Sequence, residues 1–252
     1  ADVRVVYSTL DALQIAKENP EKSVVFIGIG FETTAPTIAA SILQAQRDGL
    51  NNFLVLSLLK LCPPTIKALL DEGEVKLDGI VCPGHVSTII GSHPWDFIPR
   101  NYGIACVVSG FEPLDVLQSI EMLVAQIENG EPRVEIAYRR GVKAYGNQWA
   151  TRQVDTVFEP CPALWRGMGK VPWSGLRLRE DYHRFDADGV FQIDPGPTIE
   201  HKGCICGEVL RGIKRPTDCR LFRHVCTPEH PVGPCMVSSE GSCAAYYHYG
   251  AD

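Results

Sequence analysis

The chain has 252 residues, and 45% of them are hydrophobic, so it can bury a large core without disulfide cross-links. A net charge of −6 argues against nucleic acid as a partner, and no run of about 18 apolar residues indicates a membrane span. No signal peptide opens the sequence, which predicts a cytoplasmic protein whose cysteines stay reduced.

Apolar strands alternate with amphipathic helices through the first 130 residues. Short buried strands are predicted at 3–6, 24–29, 53–58, 79–82 and 104–108. Helices are predicted after Ser8, where a capping pattern occurs, after Thr34, and over 114–127, where apolar residues keep helical spacing. Alternation with short connections predicts an α/β domain over 1–130, built on a parallel, doubly wound sheet.

Similar loops follow three of these predicted strands. The tripeptide Gly-Phe-Glu occurs at 30–32 and again at 110–112, each time between a strand and a helix, and Pro-Gly-His-Val-Ser occupies 83–87. Loops at the carboxyl ends of parallel strands line the ligand-binding crevice of open α/β sheets. We therefore expect Glu32, Thr33, His85 and Glu112 to line one crevice, as polar support and a docking surface for a partner. The alternative is that each glutamate only stabilises the N-terminus of its helix.

The alternation is lost beyond residue 130. A strand is predicted at 134–138 and a helix at 147–157, whereas 160–197 is rich in Pro, Gly, Trp and charge and is predicted to be irregular. Six of the ten cysteines follow within 203–243. We therefore assign 131–252 to a second, irregular region that folds around its cysteines.

The cysteines of this region lie in loop-like sequence, which indicates covalent or metal chemistry, because packing cysteines would be spread through strands and helices. Cys204, Cys219, Cys226 and Cys243 have the spacing C-x14-C-x6-C-x16-C. This spacing lacks the close cysteine pairs of zinc ribbons and the tight cysteine runs of ferredoxins. Four thiolates from separate loops can still surround a [4Fe-4S] cubane, so a disulfide framework, a zinc site and an iron–sulfur cluster all stay open.

Two cysteines, Cys206 and Cys235, lie among these four and are not needed for four-fold ligation. A cluster can supply electrons to a neighbouring disulfide, so this pair is predicted to be redox-active. Cys206 is also the rival of Cys204 as the first ligand, because the two are only two positions apart.

Five motifs, taken together and in order, resemble the family of the hydrogenase maturation protein HypD. They are Gly-Phe-Glu-Thr-Thr (30–34), Pro-Gly-His-Val-Ser (83–87), Gly-Phe-Glu-Pro-Leu-Asp (110–115), Cys-Gly-Glu-Val-Leu (206–210) and Met-Val-Ser-Ser-Glu-Gly-Ser-Cys (236–243). The resemblance extends from one end of this chain to the other.

The resemblance implies a redox-active scaffold for metal-centre assembly rather than a conventional turnover enzyme. With a HypC-type chaperone and a HypE-type cyanide donor, such a scaffold supports assembly of the Fe(CN)2CO unit of [NiFe] hydrogenase, which the full-length protein holds transiently. The resemblance also implies one [4Fe-4S] cluster held by Cys204, Cys219, Cys226 and Cys243, with Cys206 and Cys235 as the adjacent redox pair.

Two motifs of the family, Cys-Gly-Gly-His-Thr and Gly-Pro-Gly-Cys-Pro-Val-Cys, do not occur in this sequence. The chain therefore resembles the C-terminal two-thirds of such a protein, and we expect it to hold a cluster but not to assemble the iron unit alone. Two other functions stay open: a ferredoxin-type thiol/disulfide oxidoreductase and a zinc-stabilised α/β binding module.

Overall fold

The computed structural model describes residues 2–192, 196 and 201–250. It begins with an α/β unit in which α1 (Thr9–Glu18), β1 (Val24–Gly30), α2 (Ala35–Arg47) and β2 (Phe53–Leu59) follow one another. The two strands are parallel and pair along their whole length, from Val24 opposite Phe53 to Gly30 opposite Leu59. The predicted strands at 24–29 and 53–58 and the helix after Thr34 are confirmed.

The predicted cap of α1 is also confirmed. The Ser8 hydroxyl accepts a hydrogen bond from the Leu10 amide at 3.0 Å, and the Asp11 carboxylate accepts one from the Ser8 amide at 3.1 Å. These two bonds satisfy amides that have no partner within the helix, and so they fix where α1 begins.

A second parallel sheet follows, with the strand order β3–β4–β5. Its elements are α3 (Cys62–Asp71), β3 (Gly79–Pro83), α4 (Gly84–Ile90), α5 (Phe97–Tyr102), β4 (Ala105–Ser109), α6 (Pro113–Asn129) and β5 (Val134–Ile136). The predicted strands at 79–82 and 104–108 and the helix over 114–127 are confirmed, and the strand predicted at 134–138 is shorter than expected.

The parallel strands form two sheets, whereas the sequence predicted one doubly wound sheet. A later part of the chain pairs with the end of β2, at the edge that β1 does not use. Lys60 forms an isolated β-bridge with Gly175, and the Leu61 amide donates to the Ser174 carbonyl oxygen at 2.9 Å. Because this edge is occupied, β3 does not add to β2. Each sheet has its own hydrophobic core, one including Phe53 and the other Trp95.

The strand predicted at 3–6 is wrong. Its residues form no strand, and the side chains of Val3 and Val5 are 87% and 93% exposed. An apolar run forms a buried strand only where it can pair with a neighbouring strand and pack against a core. Residues 3–6 do neither, and α1 is the first element that packs into the core.

The stretch predicted to be irregular contains a β-hairpin, which corrects that prediction. After α7 (Gln148–Val157), β6 (Phe158–Trp165) and β7 (Gly169–Leu178) pair in an antiparallel manner, and α8 (Ala187–Phe191) follows. Phe158, Leu176 and Leu178 share the core of the first sheet, which explains why a segment rich in Pro and Gly is ordered as strands. Positions 193–195 and 197 of the predicted irregular stretch lie outside the described residues.

The cysteine-rich segment over 201–250 has little regular structure and a separate small core. Its helices are α9 (Cys206–Leu210) and α10 (Ser242–Tyr249), and two short 3-10 turns lie at Pro216–Asp218 and Pro234–Met236. Its core consists largely of the cysteines together with Phe222, Met236 and Ala244. Within the described part of the chain, no helix has the length and apolar character to cross a membrane.

Candidate functional site

One small cavity is lined by all six cysteines of the C-terminal segment. Its volume is about 20 Å³, and the lining cysteines are Cys204, Cys206, Cys219, Cys226, Cys235 and Cys243. The sequence brings them together through short elements: Cys206 begins α9, Cys243 lies in the first turn of α10, and Cys235 lies in the second 3-10 turn. The cavity is apolar apart from the sulfur atoms, with Phe222 and Met236 in its wall.

Three of these thiols are in direct contact. The Sγ atoms of Cys235 and Cys243 are 3.0 Å apart, and the Cys206 thiol also hydrogen-bonds to Cys235. The hydrogen bonds from Cys206 and Cys243 lower the pKa of Cys235, whereas the pKa values of the other two thiols are raised. Cys235 is therefore the member of this trio that becomes a thiolate first.

The other thiols are held by the backbone or face it closely. The Val232 amide donates to Cys226 Sγ at 3.4 Å, and Cys219 Sγ lies 3.9 Å from the Gly203 carbonyl oxygen. A Cβ atom added at Gly233 would lie 2.5 Å from Cys204 Sγ, so glycine is needed there to leave room for that sulfur atom.

The donor geometry separates two kinds of metal site. In the described residues, no three His, Cys, Asp or Glu side chains converge closely enough to hold a single metal ion. A structural zinc ion requires four ligands that meet at one point, whereas a cubane binds each thiolate through a different iron and needs ligands spread around a volume. Six soft sulfur donors around an apolar cavity are the kind of donor set that an iron–sulfur cluster takes.

The tip of the β6–β7 hairpin covers part of the cysteine segment. Arg166 donates to the Val232 carbonyl oxygen at 3.4 Å, and Gly167 lies against Pro234. Between the tip and the segment is a second cavity of about 70 Å³, lined by Arg166 and His201 as well as Cys204 and Cys206. This contact could not be predicted from the sequence, because the hairpin itself was not predicted.

Glu32 lies at the carboxyl end of β1, as predicted, but it is buried. Its Oε1 atom accepts a hydrogen bond from the Cys62 amide at 2.7 Å, and its Oε2 atom is buried with no hydrogen-bond partner among the described residues. Burial raises the pKa of the Glu32 carboxyl, and the bonds from Cys62 only partly oppose this. Burial and the adjacent Glu32 carboxyl also raise the pKa of the Cys62 thiol. Thr33, next to Glu32, is exposed.

His85 and the second glutamate lie at the carboxyl edge of the other sheet. The His85 ring stacks against Phe111, with the ring centroids 4.0 Å apart, and the adjacent Glu112 forms an ion pair with Arg140 at 3.2 Å. Arg140 also binds both oxygens of the buried Asp115 at 2.6 Å and lies over the ring of Tyr138. This pairing lowers the pKa of Asp115, chiefly through the hydrogen bonds.

The structure thus brings His85 and the Glu112 loop together and places Glu32 on the other sheet. No described hydrogen bond or ion pair joins Glu32 to either residue, and one crevice shared by all of them stays a prediction. Arg140 and Tyr138 were missed because they follow β5 in sequence without a recognisable motif, although two adjacent arginines beyond a strand could have drawn attention to this edge.

Comparison with known proteins places the chain among hydrogenase maturation factors. A family model described as the hydrogenase formation hypA family (HypD) matches residues 1–250. The hydrogenase maturation factor HypD of Cupriavidus necator is 49% identical over 257 residues, which cover 99% of this chain and 68% of that protein. The chain belongs to the HypD family. The HypD of Rhodobacter capsulatus is 47% identical over the same shares of both chains, and the hydrogenase expression/formation protein HupD of Azotobacter chroococcum is 48% identical, again with 99% and 68% coverage.

The buried carboxyl of this HypD-family chain leads to a prediction on pH and stability. An acid whose pKa is raised in the folded state stabilises the fold below its unfolded pKa, and that contribution is lost as the pH rises through the folded pKa. We expect Glu32→Gln to remove this loss, because an amide keeps the acceptor for the Cys62 amide and never ionises. The unpartnered oxygen costs on the order of 1–3 kcal/mol, so the variant should be more stable than the parent at about pH 8 and not at about pH 5. Urea unfolding at both pH values measures the difference.

The control for this experiment is Glu112→Gln, which removes an exposed carboxylate from the equivalent loop of the second sheet. It should change the unfolding free energy by less than about 0.5 kcal/mol, with no gain at high pH. Equal pH dependence in the parent protein and Glu32→Gln would show that the Glu32 carboxyl does not ionise over this range.

Proposed function

We propose that this chain acts as a redox-active scaffold in the maturation of [NiFe] hydrogenase, in the cytoplasm, and that its C-terminal segment holds a [4Fe-4S] cluster. The single observation that supports this most is the cavity lined by six cysteines in a chain of the HypD family. Soft thiolate donors around an apolar volume are what an iron–sulfur cluster requires.

Cys204, Cys219, Cys226 and Cys243 would hold the cluster. They come from four separate loops or turns, so their binding would tie together a segment that has little other core. Gly233 leaves the space that Cys204 Sγ occupies, and the Val232 amide orients Cys226. When bound, such a cluster supplies single electrons to a neighbouring disulfide.

Cys206 and Cys235 would act as the redox pair. Their thiols hydrogen-bond, and oxidation to a disulfide removes two electrons and two protons from them. Cys235 is the thiolate that begins exchange with a partner thiol or disulfide, since the hydrogen bond from the Cys206 thiol lowers its pKa. Cys243 also touches Cys235, but iron ligation would withhold it from disulfide formation.

The cargo of the scaffold would be the iron of the Fe(CN)2CO unit, delivered and completed with a HypC-type chaperone and a HypE-type cyanide donor. Glu32, Thr33, His85 and Glu112 would support the docking of these partners at the carboxyl edges of the two sheets. About a third of the Cupriavidus necator protein lies outside the matched part, since 68% of it is covered. Assembly of the complete iron unit therefore belongs to the proposal for the whole family protein.

Anaerobic purification followed by absorption spectroscopy tests this proposal. Iron, acid-labile sulfide and zinc are measured on the same sample. A brown protein with a broad thiolate-to-iron charge-transfer band and about four irons per chain supports the cluster. Stoichiometric zinc without iron would instead support the zinc-stabilised binding module. Catalytic turnover of a disulfide substrate by the iron-containing chain would support the thiol/disulfide oxidoreductase.

The redox pair can be tested by mass spectrometry. We expect mild oxidation of the cluster-containing protein to produce a linked peptide containing Cys206 and Cys235, lighter by two hydrogen atoms than the separate peptides. Thiols are alkylated under acid conditions first, so that exchange does not scramble the pairing. Cys235→Ser should abolish the link, whereas the control Cys161→Ser, which removes a cysteine of the hairpin, should leave it unchanged. A link between Cys235 and Cys243 in protein that retains its iron would contradict the pairing.

A further inference from the structure

Helix α6 is oriented by a polar face that is buried. Gln126 donates to the Cys106 carbonyl oxygen at 3.3 Å and to Glu135 at 2.8 Å, and its side-chain oxygen accepts from the Arg133 amide at 3.1 Å. The Ser119 hydroxyl is fully buried, and the buried Asp115 is held by Arg140. Because unmade bonds of buried polar groups are costly, these contacts fix which side of α6 faces the sheet.

The same orientation leaves an apolar side of α6 exposed. Five side chains share this side at helical spacing and are between 40% and 65% exposed. We call them the α6 stripe: Val116, Leu117, Ile120, Val124 and Ile127. A stripe of this kind normally faces a core, and a continuous exposed apolar patch on a soluble protein usually marks an interaction site.

The strand next to α6 is uncovered on the same face. Val81 of β3 lies beside Val107 of β4 in the parallel register, so both side chains point to the α6 side of the sheet. Val107 is buried under Leu123 of α6, whereas Val81 is 48% exposed. Leu123 also lies over Gly79, so α6 covers the start of β3 but not Val81.

One helix does not cover this face of the three-stranded sheet. A helix with its side chains is about 10 Å wide and covers about two strands spaced about 4.8 Å apart. α6 packs on β4 and on the start of β3, and it reaches β5 through the hydrogen bond from Gln126 to Glu135. In parallel sheets both faces are normally covered by helices. The position beside α6 and above β3 is the one that lacks its helix in the described part of the chain.

The charges around the stripe narrow the choice of partner. α6 contains no Lys or Arg, and its exposed side carries Glu121 and Glu128 along one border of the stripe. Neither glutamate forms an ion pair with another described residue. In a symmetric dimer through α6 these borders would repel each other, and an acidic border also disfavours an anionic lipid surface.

We propose that the α6 stripe and Val81 form a docking surface for an amphipathic helix of a partner protein, with Lys or Arg along one edge of its apolar face. Leucine-sized side chains of that helix would fill the space above β3, and its basic edge would pair with Glu121 and Glu128. The partner helix would thereby complete the cover of this sheet face.

The proposal is tested with designed peptides and the intact protein. The probe is a fluorescent amphipathic peptide of about 18 residues, the length needed to lie along α6, with a leucine face bordered by lysines. A second peptide has the same leucine face bordered by glutamates. We expect the lysine-bordered peptide to bind at least about tenfold more tightly, and Ile120→Gln/Val124→Gln to weaken its binding by at least about tenfold. Glu121→Lys/Glu128→Lys should reverse the preference between the peptides.

Circular dichroism checks that each variant keeps its helix content. A loss of binding is then a loss of docking and not a result of unfolding. The matched control is Val190→Gln, which alters an exposed valine of α8 and should leave binding unchanged. Equal binding to the parent and to Ile120→Gln/Val124→Gln would overturn the proposal. So would a dimer of the parent protein, seen by sedimentation and abolished by the same substitutions, because the stripe would then be covered by a second copy.

Discussion

Replacing Cys204 with Ala is expected to reduce the iron content of the anaerobically purified protein from about four atoms per chain to nearly none. A [4Fe-4S] cluster needs four protein thiolates, and the cavity offers few other donors that could take the place of a lost ligand. The two remaining thiols of the cavity, Cys206 and Cys235, interact with each other. Iron analysis and the intensity of the brown absorbance measure the result.

Cys235→Ala is the control for this prediction. It removes a thiol from the same cavity and from the same small core, but it should leave the iron content unchanged if Cys235 belongs to the redox pair. Cys206→Ala distinguishes the two candidates for the first ligand, since it should retain iron when Cys204 is the ligand. Full loss of iron in Cys206→Ala together with retention in Cys204→Ala would exchange the roles of these two residues.

Much of the α/β part could be predicted because each element depends on local signals. β1, β2, β3 and β4 are short apolar runs bounded by polar or glycine-containing loops, and these runs extend in the structure to within a residue or two of the predicted limits. The pairing of the strands could not be predicted in the same way. Whether β3 joins β2 depends on the hairpin that occupies the edge of β2, more than a hundred residues away in the chain.

The hairpin was missed because its sequence lacks the usual signs of strands. Pro160, Pro162 and Pro172 interrupt the apolar alternation, and prolines are tolerated in strands only where no ladder hydrogen bond is needed. In the structure the register of the hairpin shifts between Cys161 and Ala163, next to one of these prolines. Tertiary contacts with the first core therefore determine the structure of this segment more than its local sequence does.

For the candidate site, residue type and clustering were sufficient to predict which cysteines lie close together. Six thiols within about forty positions of one small segment are all a short length of chain apart. Side chains such as Arg140 and Arg166 could not be predicted, since their roles depend on which loop they face. Helix α6 illustrates the same limit. Its apolar spacing predicted a helix, but the buried partners of Asp115, Ser119 and Gln126 decided which side is covered.

Trp95→Ala is expected to destabilise the second α/β unit by about 3–5 kcal/mol, which is a large part of the stability of a typical domain. Trp95 is fully buried and is the largest side chain in its core. Its indole N–H donates to the Ser87 hydroxyl at 2.9 Å, and that hydroxyl in turn donates to the Pro83 carbonyl oxygen. Ser87 and His85 both lie on α4, so Trp95 also positions the loop that carries a candidate docking residue.

Two further substitutions separate the packing of Trp95 from its hydrogen bond. Trp95→Phe keeps most of the buried apolar volume and leaves the Ser87 hydroxyl without its donor, so it should cost about 1–3 kcal/mol. The same change made together with Ser87→Ala should cost less than the sum of the single changes, because the two side chains are in contact. Trp149→Ala, which removes an exposed tryptophan of α7, should change the unfolding free energy by no more than about 0.5 kcal/mol. If urea unfolding followed by circular dichroism gave Trp95→Ala and Trp149→Ala the same midpoint, the second core would not depend on Trp95, and the position of α4 would have to be maintained by other contacts.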